Sequence, residues 1–276
     1  MKTLYVSDLD GTLLRSDEHT SDYTNQKLNE LTQQGMLFSY ATARSLITAR
    51  KATVGLNAKI PLIVYNGSFI VDNVTGELLL SNFFEDDIRE TLQDLLAHDI
   101  YPLVYSYKDS VERFSFIPER CSTGLTDFLN TRKGDPRTHI VSSKEELLDG
   151  EIFYLTCIDD EEKLAPFYEK YKDKYHCIFA RDIYSNEQWL EFLPPDASKA
   201  NAIQQLKEYL GCDHVVAFGD GKNDISMFEI ADECYAVANA APELKALATG
   251  IIGSNNEDSV VKWLENIYTN TRKSGD

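Results

Sequence analysis

Short apolar runs alternate with segments of helical periodicity along the first part of the chain. Thr3 to Ser7 is an apolar, β-prone run that stops at Asp8, and Met36 to Ala41 and Pro61 to Tyr65 have the same character. A segment with leucines at helical spacing separates the first two runs, and a predicted helix over Ser45 to Val54 follows the second. Strand–helix–strand units connect through right-handed crossovers, so this order predicts a parallel sheet.

The pattern changes near residue 82, where helical periodicity begins to mix with β-rich runs. Regular alternation of strands and helices returns after Pro194 and Pro195. The mixed middle part is typical of an inserted α+β module. The sequence therefore predicts an α/β fold, with a doubly wound, parallel-sheet (Rossmann-like) core interrupted by one inserted α+β domain. The expected boundaries are 1–82 and 188–276 for the core and 83–187 for the insertion.

Net charge narrows the classes of partner. The chain carries 27 Lys and Arg against 45 Asp and Glu, a formal charge of −18. Such an excess disfavours binding to nucleic acid or an anionic membrane, because the dominant electrostatic contribution would be repulsive. It does not disfavour a small phosphorylated metabolite, since a bound divalent cation reverses the local sign of charge. The sequence does not separate a monomer from a weak dimer.

The cysteines and the apolar runs indicate in which cellular compartment the protein is expected. The five cysteines are dispersed and form no Cys-x-x-Cys pair, which favours reduced thiols over a disulfide framework. The first residues do not have the features of a signal peptide, and no apolar run is long enough to span a bilayer. These observations predict a cytoplasmic location.

Acidic residues follow two of the predicted buried strands. The first strand ends at Asp8, with Asp10 two residues later, and the strand predicted over His214 to Phe218 is followed by Asp220 and Asp224. Because ligands bind beyond the carboxyl ends of parallel strands, we expect these acids to lie close together. Alternate acids such as Asp8 and Asp10 can project to the same side of a strand end.

A cluster of carboxylates needs a cation to offset its repulsion. Oxygen ligands without nearby histidine or cysteine favour a hard ion, and a site that handles phosphate favours Mg²⁺. The ordinary alternative is that these acids cap helices and form turns, for which Asp, Asn and Gly are well suited. That alternative explains one Asp-Gly pair but not two acid-rich ends on two buried strands.

Five segments together resemble the haloacid dehalogenase-like superfamily. Asp8 to Thr12 resembles its Asp-x-Asp-Gly-Thr signature, and Gly219 to Asp224 resembles its Gly-Asp-Gly-x-Asn-Asp signature. Lys199 stands where the family carries its phosphate-binding lysine. Ala41 to Arg44 resembles the Ala-Thr-Gly-Arg segment, and Asn66 to Ser68 the asparagine–glycine pair after the third strand. With its long insertion, the chain is similar to the Cof-type sugar phosphatases, whose inserted cap domain determines substrate specificity.

The resemblance implies a role for each main residue of the site. Asp8 would be the nucleophile that forms an aspartyl-phosphate, and Asp10 the general acid and then the general base. Thr42 would donate its hydroxyl to a phosphoryl oxygen, and Lys199 would neutralise charge on the phosphoryl group. Mg²⁺ would be held by Asp8, the backbone carbonyl of Asp10, and Asp220.

Supporting residues of the phosphate site follow from the same resemblance. Asn223 would hydrogen-bond the phosphoryl group or order its loop, and Asp224 would orient either Lys199 or the hydration shell of the metal. Gly11 would let the chain turn after the first strand. Ala43 stands where the family usually has glycine, which bears on the shape of the loop beside the phosphate.

Three residues have ordinary alternatives of comparable or greater weight. Arg44 could contact the substrate or the cap, and a surface ion pair explains it equally well. Asn66 could be a polar contact in the site or simply a turn residue. For Thr42 taken by itself, a hydroxyl that satisfies the local backbone at the end of a strand is the favoured alternative.

The leading function is thus a Mg²⁺-dependent phosphatase acting on sugar phosphates or similar small phosphomonoesters through an aspartyl-phosphate. A phosphomutase is an alternative, because it uses the same intermediate and favours a basic cap. Basic residues in the expected cap keep it open: Arg113, Arg120, Arg132, Lys133 and Arg137. A non-catalytic binding or regulatory protein on the same core is the third hypothesis.

Overall fold

The structure is a computed structural model that describes residues 2–109, 111–181 and 187–273. The chain forms two compact units. The core unit comprises the residues up to Ser81 and those from Ser198 onward, and the inserted unit comprises Asn82–Ala197. The chain thus leaves the core once and returns to it once.

The first segment of the core unit contains five strands and two helices. Its helices are capped locally; for example, the Ser21 hydroxyl accepts a hydrogen bond from the Thr24 N–H at 3.0 Å. In chain order the elements are β1 (Thr3–Asp8), α1 (Asp22–Gln33), β2 (Leu37–Ala41), α2 (Leu46–Ala52), β3 (Pro61–Val64), β4 (Phe69–Asp72) and β5 (Leu78–Ser81).

The inserted unit is built on a six-stranded sheet. Its elements are α3 (Ile88–Ala97), β6 (Leu103–Lys108), β7 (Val111–Phe116), α4 (Thr123–Thr131), β8 (Thr138–Ile140), α5 (Lys144–Leu147), β9 (Glu151–Asp159), α6 (Glu161–Tyr171), β10 (His176–Arg181) and β11 (Gln188–Leu193). The sheet order is β10-β11-β9-β6-β7-β8, and all pairs are antiparallel except β7 with β8. Leucines of α3 and α6 share one buried cluster with β9 and β11, which gives this unit its own hydrophobic core.

The chain then completes the core unit. The remaining elements are α7 (Lys199–Leu210), β12 (His214–Gly219), α8 (Ile225–Ile230), β13 (Glu233–Ala236), α9 (Pro242–Leu247), β14 (Gly250–Ile251) and α10 (Ser259–Lys273). The core sheet has the order β14-β13-β12-β1-β2-β3-β4-β5. It is parallel from β14 to β3, and β3, β4 and β5 pair antiparallel. The predicted α/β core with an inserted α+β module is confirmed.

Burial explains why β1 lies at the centre of the core sheet. Leu4 and Val6 are fully buried, and β1 pairs with β12 on one side and with β2 on the other. Burying an aliphatic side chain of this size contributes about 1.5–3 kcal/mol relative to exposure. The strand that carries Asp8 is therefore held by both of its neighbours, which fixes the position of its carboxyl end.

The boundaries of the insertion differ from those expected from the sequence. The predicted limits were 83 and 187, whereas the inserted unit runs from Asn82 to Ala197. The reason is β11, which pairs with β9 and β10 and so belongs to the sheet of the inserted unit. Its alternation of apolar side chains was assigned to the returning core, although the proline pair after it marks the actual change.

No helix among the described residues combines the length and apolarity needed to cross a membrane.

The carboxylate of Asp258 joins three segments of the core unit. It accepts hydrogen bonds from Arg15 Nε at 3.0 Å, Ser21 Oγ at 2.8 Å and Thr24 Oγ1 at 3.2 Å. Burial opposes ionisation, but the hydrogen bonds from Arg15 and Ser21 outweigh it, and the pKa of Asp258 is lowered.

We expect Asp258→Ala to lower the free energy of unfolding by about 2–3 kcal/mol at neutral pH, since three donors lose their acceptor. Because the folded-state pKa of Asp258 lies below its unfolded value, its stabilisation is present above about pH 4 and is lost as the pH falls through the folded value. Urea unfolding at neutral and acidic pH measures this. Asp17→Ala, which removes an exposed carboxylate, is the control, and a pH-independent difference would contradict the account.

Candidate active site

The carboxyl ends of β1 and β12 place acidic residues side by side. The two strands are parallel neighbours, with Ser7 opposite Phe218, so Asp8 and Asp220 follow at the same edge of the sheet. Asp8 is only 4% exposed. The expectation that acids from two separate strands meet at one edge is met by this geometry.

Lys199 lies between two carboxylates. Its Nζ donates to Asp8 Oδ1 at 2.6 Å and to Asp224 Oδ1 at 2.7 Å, and all three side chains are buried. Lys199 begins α7, whose N-cap Ser198 accepts from the Asn201 N–H at 3.1 Å. A cation at the positive end of a helix is electrostatically unfavourable, so the two carboxylates are what hold it there.

The loop after β12 fixes the second of these carboxylates. Asp224 Oδ2 accepts from the backbone N–H groups of Asp220 and Gly221, each at 3.0 Å. Asp224 closes a short 3-10 helix over Lys222–Asp224 that directly precedes α8. With one oxygen bound to the loop and the other to Lys199, Asp224 positions the lysine against Asp8.

The charges of this cluster do not balance. Burial and the Asp224 carboxylate raise the pKa of Asp8 well above its ordinary value, although Lys199 opposes this. Burial also works against the charge of Lys199, but Asp8 and Asp224 outweigh it and raise the pKa of the lysine, which stays protonated at neutral pH. Burial and Asp224 raise the pKa of Asp220 to about 6. One ammonium thus faces three carboxylates.

The excess of negative charge fits a cation. Asp8, Asp220 and Asp224 offer carboxylate oxygens that lie within 4.8 Å of one another. Such a set of hard oxygen donors suits Mg²⁺, and a bound cation would relieve the repulsion that raises their proton affinity. The donor chemistry of the site therefore fits a divalent metal ion.

We expect Mg²⁺ binding to depend on pH near the pKa of Asp220. Protons compete with the metal for a carboxylate whose pKa is raised to about 6, so affinity should increase as the pH rises from about 5 to about 7 and then level off. Calorimetric titration of Mg²⁺ across this range measures it. Asp220→Asn should abolish most of the pH dependence, and an affinity that is constant with pH in the native protein would contradict the assignment.

Asp10 lies outside the Asp8–Lys199 pair. Its side chain is 49% exposed and forms a bidentate pair with Arg44, whose Nε lies 2.9 Å from Asp10 Oδ2 and whose Nη2 lies 2.5 Å from Asp10 Oδ1. Arg44 Nη2 also contacts Glu18 at 3.3 Å. Asp10 stands on the turn over residues 9–13 that directly follows Asp8, and its carboxylate forms its ion pair there.

Thr42 and Ala43 follow the end of β2, the other neighbour of β1. Asp8 lies opposite Ala41 in that pairing, so Thr42 directly follows at the edge where β1 ends in Asp8. The Thr42 hydroxyl is buried and accepts from the Arg44 N–H at 3.1 Å, the local backbone contact that the sequence left as an alternative. This leaves the hydroxyl proton of Thr42 available for a phosphoryl oxygen, and Ala43 is exposed beside it.

The segment after β3 approaches the start of α7. Asn66 is buried with a φ of +51°, and its N–H donates to the Thr42 carbonyl at 2.9 Å. A Cβ on Gly67 would lie 2.3 Å from the Ser198 carbonyl oxygen, so only glycine allows this approach. Asn66 is thus placed by the turn itself, next in the chain to Gly67, which approaches Ser198, the N-cap residue of α7. Asn223 is exposed in its loop.

Gly11 permits a close contact between the first turn and Asp220. Its φ is +74°, and a Cβ there would lie 2.3 Å from Asp220 Oδ2. The neighbouring Thr12 hydroxyl donates to Asp220 Oδ1 at 3.2 Å. The turn after β1 therefore holds the carboxylate that follows β12.

We expect Gly11→Ala to lower phosphate release about tenfold or more, because the new methyl group displaces the Asp220 carboxylate. The left-handed backbone adds a strain of about 1–2 kcal/mol. Gly211→Ala is the matched control, since it also has a positive φ, +61°, but nothing lies within 4 Å of the new Cβ. Steady-state kinetics and thermal unfolding of both variants separate the two effects. Unchanged activity in Gly11→Ala would show that Asp220 tolerates the displacement.

Sequence reasoning missed three residues that shape this site. Asn239 Nδ2 donates to the Gly11 carbonyl at 2.7 Å, and its Oδ1 accepts from the Asn255 N–H at 3.0 Å. Thr12 was part of a recognised motif but had received no role. Isolated asparagines in loops give no signal in a single sequence, whereas Thr12 could have been assigned from its place in the motif.

Comparison with protein families shows the family of this chain. The model of the haloacid dehalogenase-like hydrolases matches residues 5–264, nearly the whole chain.

Phosphatases are among the curated proteins that match this chain over nearly their whole length. The chain is 28% identical to 5-amino-6-(5-phospho-D-ribitylamino)uracil phosphatase YwtE of Bacillus subtilis, over 98% of this chain and 99% of the relative. It is 23% identical to the phosphatase of the same description named YitU, also from Bacillus subtilis, over 96% and 97%. It is also 29% identical to Endoribonuclease YBEY, chloroplastic, of Arabidopsis thaliana, but it spans only 44% of that longer protein.

Solved structures share the fold. TM0651 from Thermotoga maritima has a TM-score of 0.76 at 22% identity, covering 96% of this chain and 97% of that one. A haloacid dehalogenase-like hydrolase from Bacteroides thetaiotaomicron has a TM-score of 0.74 at 23% identity, covering 97% and 100%.

Proposed function

Because this chain belongs to the haloacid dehalogenase-like hydrolases and is a phosphatase, we propose that it hydrolyses small phosphomonoesters through an aspartyl-phosphate on Asp8 with the help of Mg²⁺. The observation that carries the proposal is the pair of contacts from Lys199 to Asp8 and Asp224, at 2.6 and 2.7 Å, beside Asp220. A buried lysine between a nucleophile and its anchor is suited to transfer of a phosphoryl group.

In the first step, a carboxylate oxygen of Asp8 attacks phosphorus, and the bond from phosphorus to the ester oxygen breaks. Lys199 neutralises charge on the phosphoryl oxygens and holds Asp8 in place, while the Thr42 hydroxyl and the Asn66 side chain are candidates for further contacts. When bound to Asp8, Asp220 and the Asp10 carbonyl, Mg²⁺ would supply electrostatic stabilisation of the phosphoryl group.

Asp10 provides the proton in this scheme. Its carboxyl group protonates the departing alkoxide, and the resulting carboxylate then removes a proton from the water that attacks phosphorus and breaks its bond to Asp8. The products are an alcohol and inorganic phosphate, with Asp8 restored as a carboxylate and Asp10 as a protonated carboxyl group. Because Asp10 is paired with Arg44 in the structure, this role requires the pair to open before Asp10 reaches the leaving oxygen.

The names of two relatives support the proposed substrate class. Two full-length relatives are named for a phosphorylated ribitylamino compound, which supports sugar or polyol phosphates as substrates here. The inserted unit would serve as the cap that selects the leaving group, because the core residues contact only the phosphoryl end. Asn223 would order the phosphate loop from its exposed position.

A phosphomutase is the second candidate, since a basic cap would rebind a bisphosphate. Two of the five basic residues that support this candidate form ion pairs with acidic side chains of the inserted unit. Arg137 pairs with Glu112 at 2.8 Å and with Asp135 at 2.6 Å, and Arg120 pairs with Asp99 at 3.6 Å. Their commitment to carboxylates favours the hydrolase.

The test is phosphate release from a panel of sugar and polyol phosphates, with Mg²⁺ and with chelator. We expect Mg²⁺-dependent release of inorganic phosphate without any bisphosphate activator. Conversion of a phosphosugar to its isomer that needs a bisphosphate would identify a mutase instead. Retained binding of phosphorylated ligands with no turnover across the panel would favour a binding protein.

A further inference from the structure

The inserted unit contains an apolar cavity whose lining includes none of the residues of the candidate active site. It has a volume of about 390 Å³ and lies between β7, β8 and the helix α4. Phe114 and Phe116 of β7 line it, with Leu129 of α4 and Ile140 of β8. Ile140 is 63% exposed. A cavity of this size and composition is typical of sites that accept a small ring-bearing molecule.

Two cations line the same cavity. Arg132 and Lys133 follow α4, and the lining includes no Asp or Glu. Among the residues that the structure describes, no carboxylate oxygen lies within 4.0 Å of either cation. In a chain with a formal charge of −18, two adjacent cations without an ion pair are complementary to an anionic ligand.

Asp135, the acid nearest to the two cations along the chain, is committed to a different arginine. Arg137 donates to Asp135 from Nε at 2.9 Å and from Nη2 at 2.6 Å, and to Glu112 from Nη1 at 2.8 Å. Cys121, which also lines the cavity, stays neutral, because burial and Glu119 raise the pKa of its thiol to about 11. The charge at the cavity is therefore positive.

Arg132 is arranged as a recognition residue. Its guanidinium carbon lies 4.8 Å from the centroid of the Phe128 ring. Stacking on an aromatic face leaves the N–H edge of the guanidinium free to form the two-pronged contact that a carboxylate accepts. Cations directly after the C-terminus of a helix also complement the helix dipole. That effect explains why Arg132 and Lys133 are favourable at the end of α4, but it does not explain the apolar cavity beside them.

We infer that this cavity is a second binding site, specific for a small organic anion with an aromatic body and a carboxylate. The ring occupies the space beside Phe114, Phe116 and Leu129, and the carboxylate is bound by Arg132 and Lys133. The site is distinct from the phosphate site of the core unit, since all of its lining residues belong to the inserted unit.

The test uses 2-naphthoate as probe and its neutral amide as the matched ligand, measured by calorimetry on the whole protein. We expect saturable binding of the acid, and binding of the amide weaker by about tenfold or more, since a hydrogen bond to a charged group contributes about 1.5–3 kcal/mol. Arg132→Gln combined with Lys133→Gln should weaken binding of the acid by a similar factor and leave the affinity for the amide unchanged. Lys51→Gln combined with Lys262→Gln removes two exposed cations of the core unit and is the control.

A filling variant tests the place of binding independently of charge. Thr126 is an exposed residue of α4 that lines the cavity, so Thr126→Phe should occupy the space and abolish binding of both ligands. Saturating inorganic phosphate should leave the naphthoate affinity unchanged. The inference is overturned if naphthoate does not bind, if the amide binds as tightly, if phosphate displaces naphthoate, or if the folded charge and filling variants bind like the native protein.

Discussion

Asp8→Asn should reduce phosphate release by about 10⁴-fold or more while leaving the protein folded. Asparagine has the shape of aspartate but lacks the anionic oxygen that attacks phosphorus, so the covalent step is lost rather than slowed. The substitution also removes the repulsion between Asp8 and Asp224, the second largest contribution that raises the pKa of Asp8. Thermal stability should therefore be equal to that of the native protein or higher, despite the loss of the contact with Lys199.

The covalent intermediate offers a more specific readout than rate alone. Acid quenching during turnover of a radiolabelled substrate should trap label on the native protein and on Asp10→Asn, but not on Asp8→Asn. Asp173→Asn, a change of an exposed aspartate, is the control for loss of a carboxylate. Label on Asp8→Asn, or activity within tenfold of the native value, would place the nucleophile elsewhere.

Lys199→Met should destabilise the protein and abolish activity together. The lysine side chain is 3% exposed and separates two buried carboxylates, so its removal leaves both without their cation. Breaking a buried pair of this kind costs about 3–5 kcal/mol, and losing a cation on the phosphoryl group lowers the rate by about 10³-fold or more.

The destabilisation caused by Lys199→Met should grow with pH. Without the ammonium, Asp8 and Asp224 repel one another and Asp8 gains a still higher folded-state pKa. An acid whose pKa is raised by folding stabilises the protein in its protonated form, so stability falls as the pH rises above the unfolded value near 4. Urea unfolding at about pH 5 and about pH 8 measures this difference.

A second substitution separates the two effects of Lys199. Adding Asp224→Asn to Lys199→Met removes one of the repelling carboxylates and should restore part of the stability without restoring activity. Lys207→Met on the exposed part of α7, where the pairing distance to Asp232 is 3.8 Å, is the control and should change little. Recovery of activity in the double variant would show that Lys199 only stabilises the folded protein and has no role in catalysis.

The sequence contained enough to predict the architecture of the core. Buried parallel strands are recognisable because they are short apolar runs that end in acids or glycine, as β1 and β12 do. The hairpin of β4 and β5 likewise has a local signal, since the turn sequence Asn-Val-Thr-Gly joins its two apolar strands. In the inserted unit, β7, β8 and α4 were missed, because short strands whose exposure is mixed carry weak periodicity.

The geometry within the site was harder to predict. Motifs identified Asp8, Lys199 and Asp224, but the direction of a side chain depends on the turn that carries it. Asp10 illustrates this, since its spacing from Asp8 does not reveal that its carboxylate, on the turn over residues 9–13, pairs with Arg44. Asn239 depends on a loop contact across more than two hundred residues, which no local pattern specifies.

The order of strands in the core sheet also determines how the protein can form during synthesis. β1 pairs with β2 on one side and with β12 on the other, yet β12 is translated only after the whole inserted unit. At about 5–20 residues per second, the edge of β1 stays unpaired for on the order of ten seconds or longer. The nascent chain can therefore complete the sheet of the inserted unit while the hydrogen-bonding groups along β1 are still exposed. That interval is the stage of biosynthesis at which this fold is most open to aggregation and most dependent on chaperones.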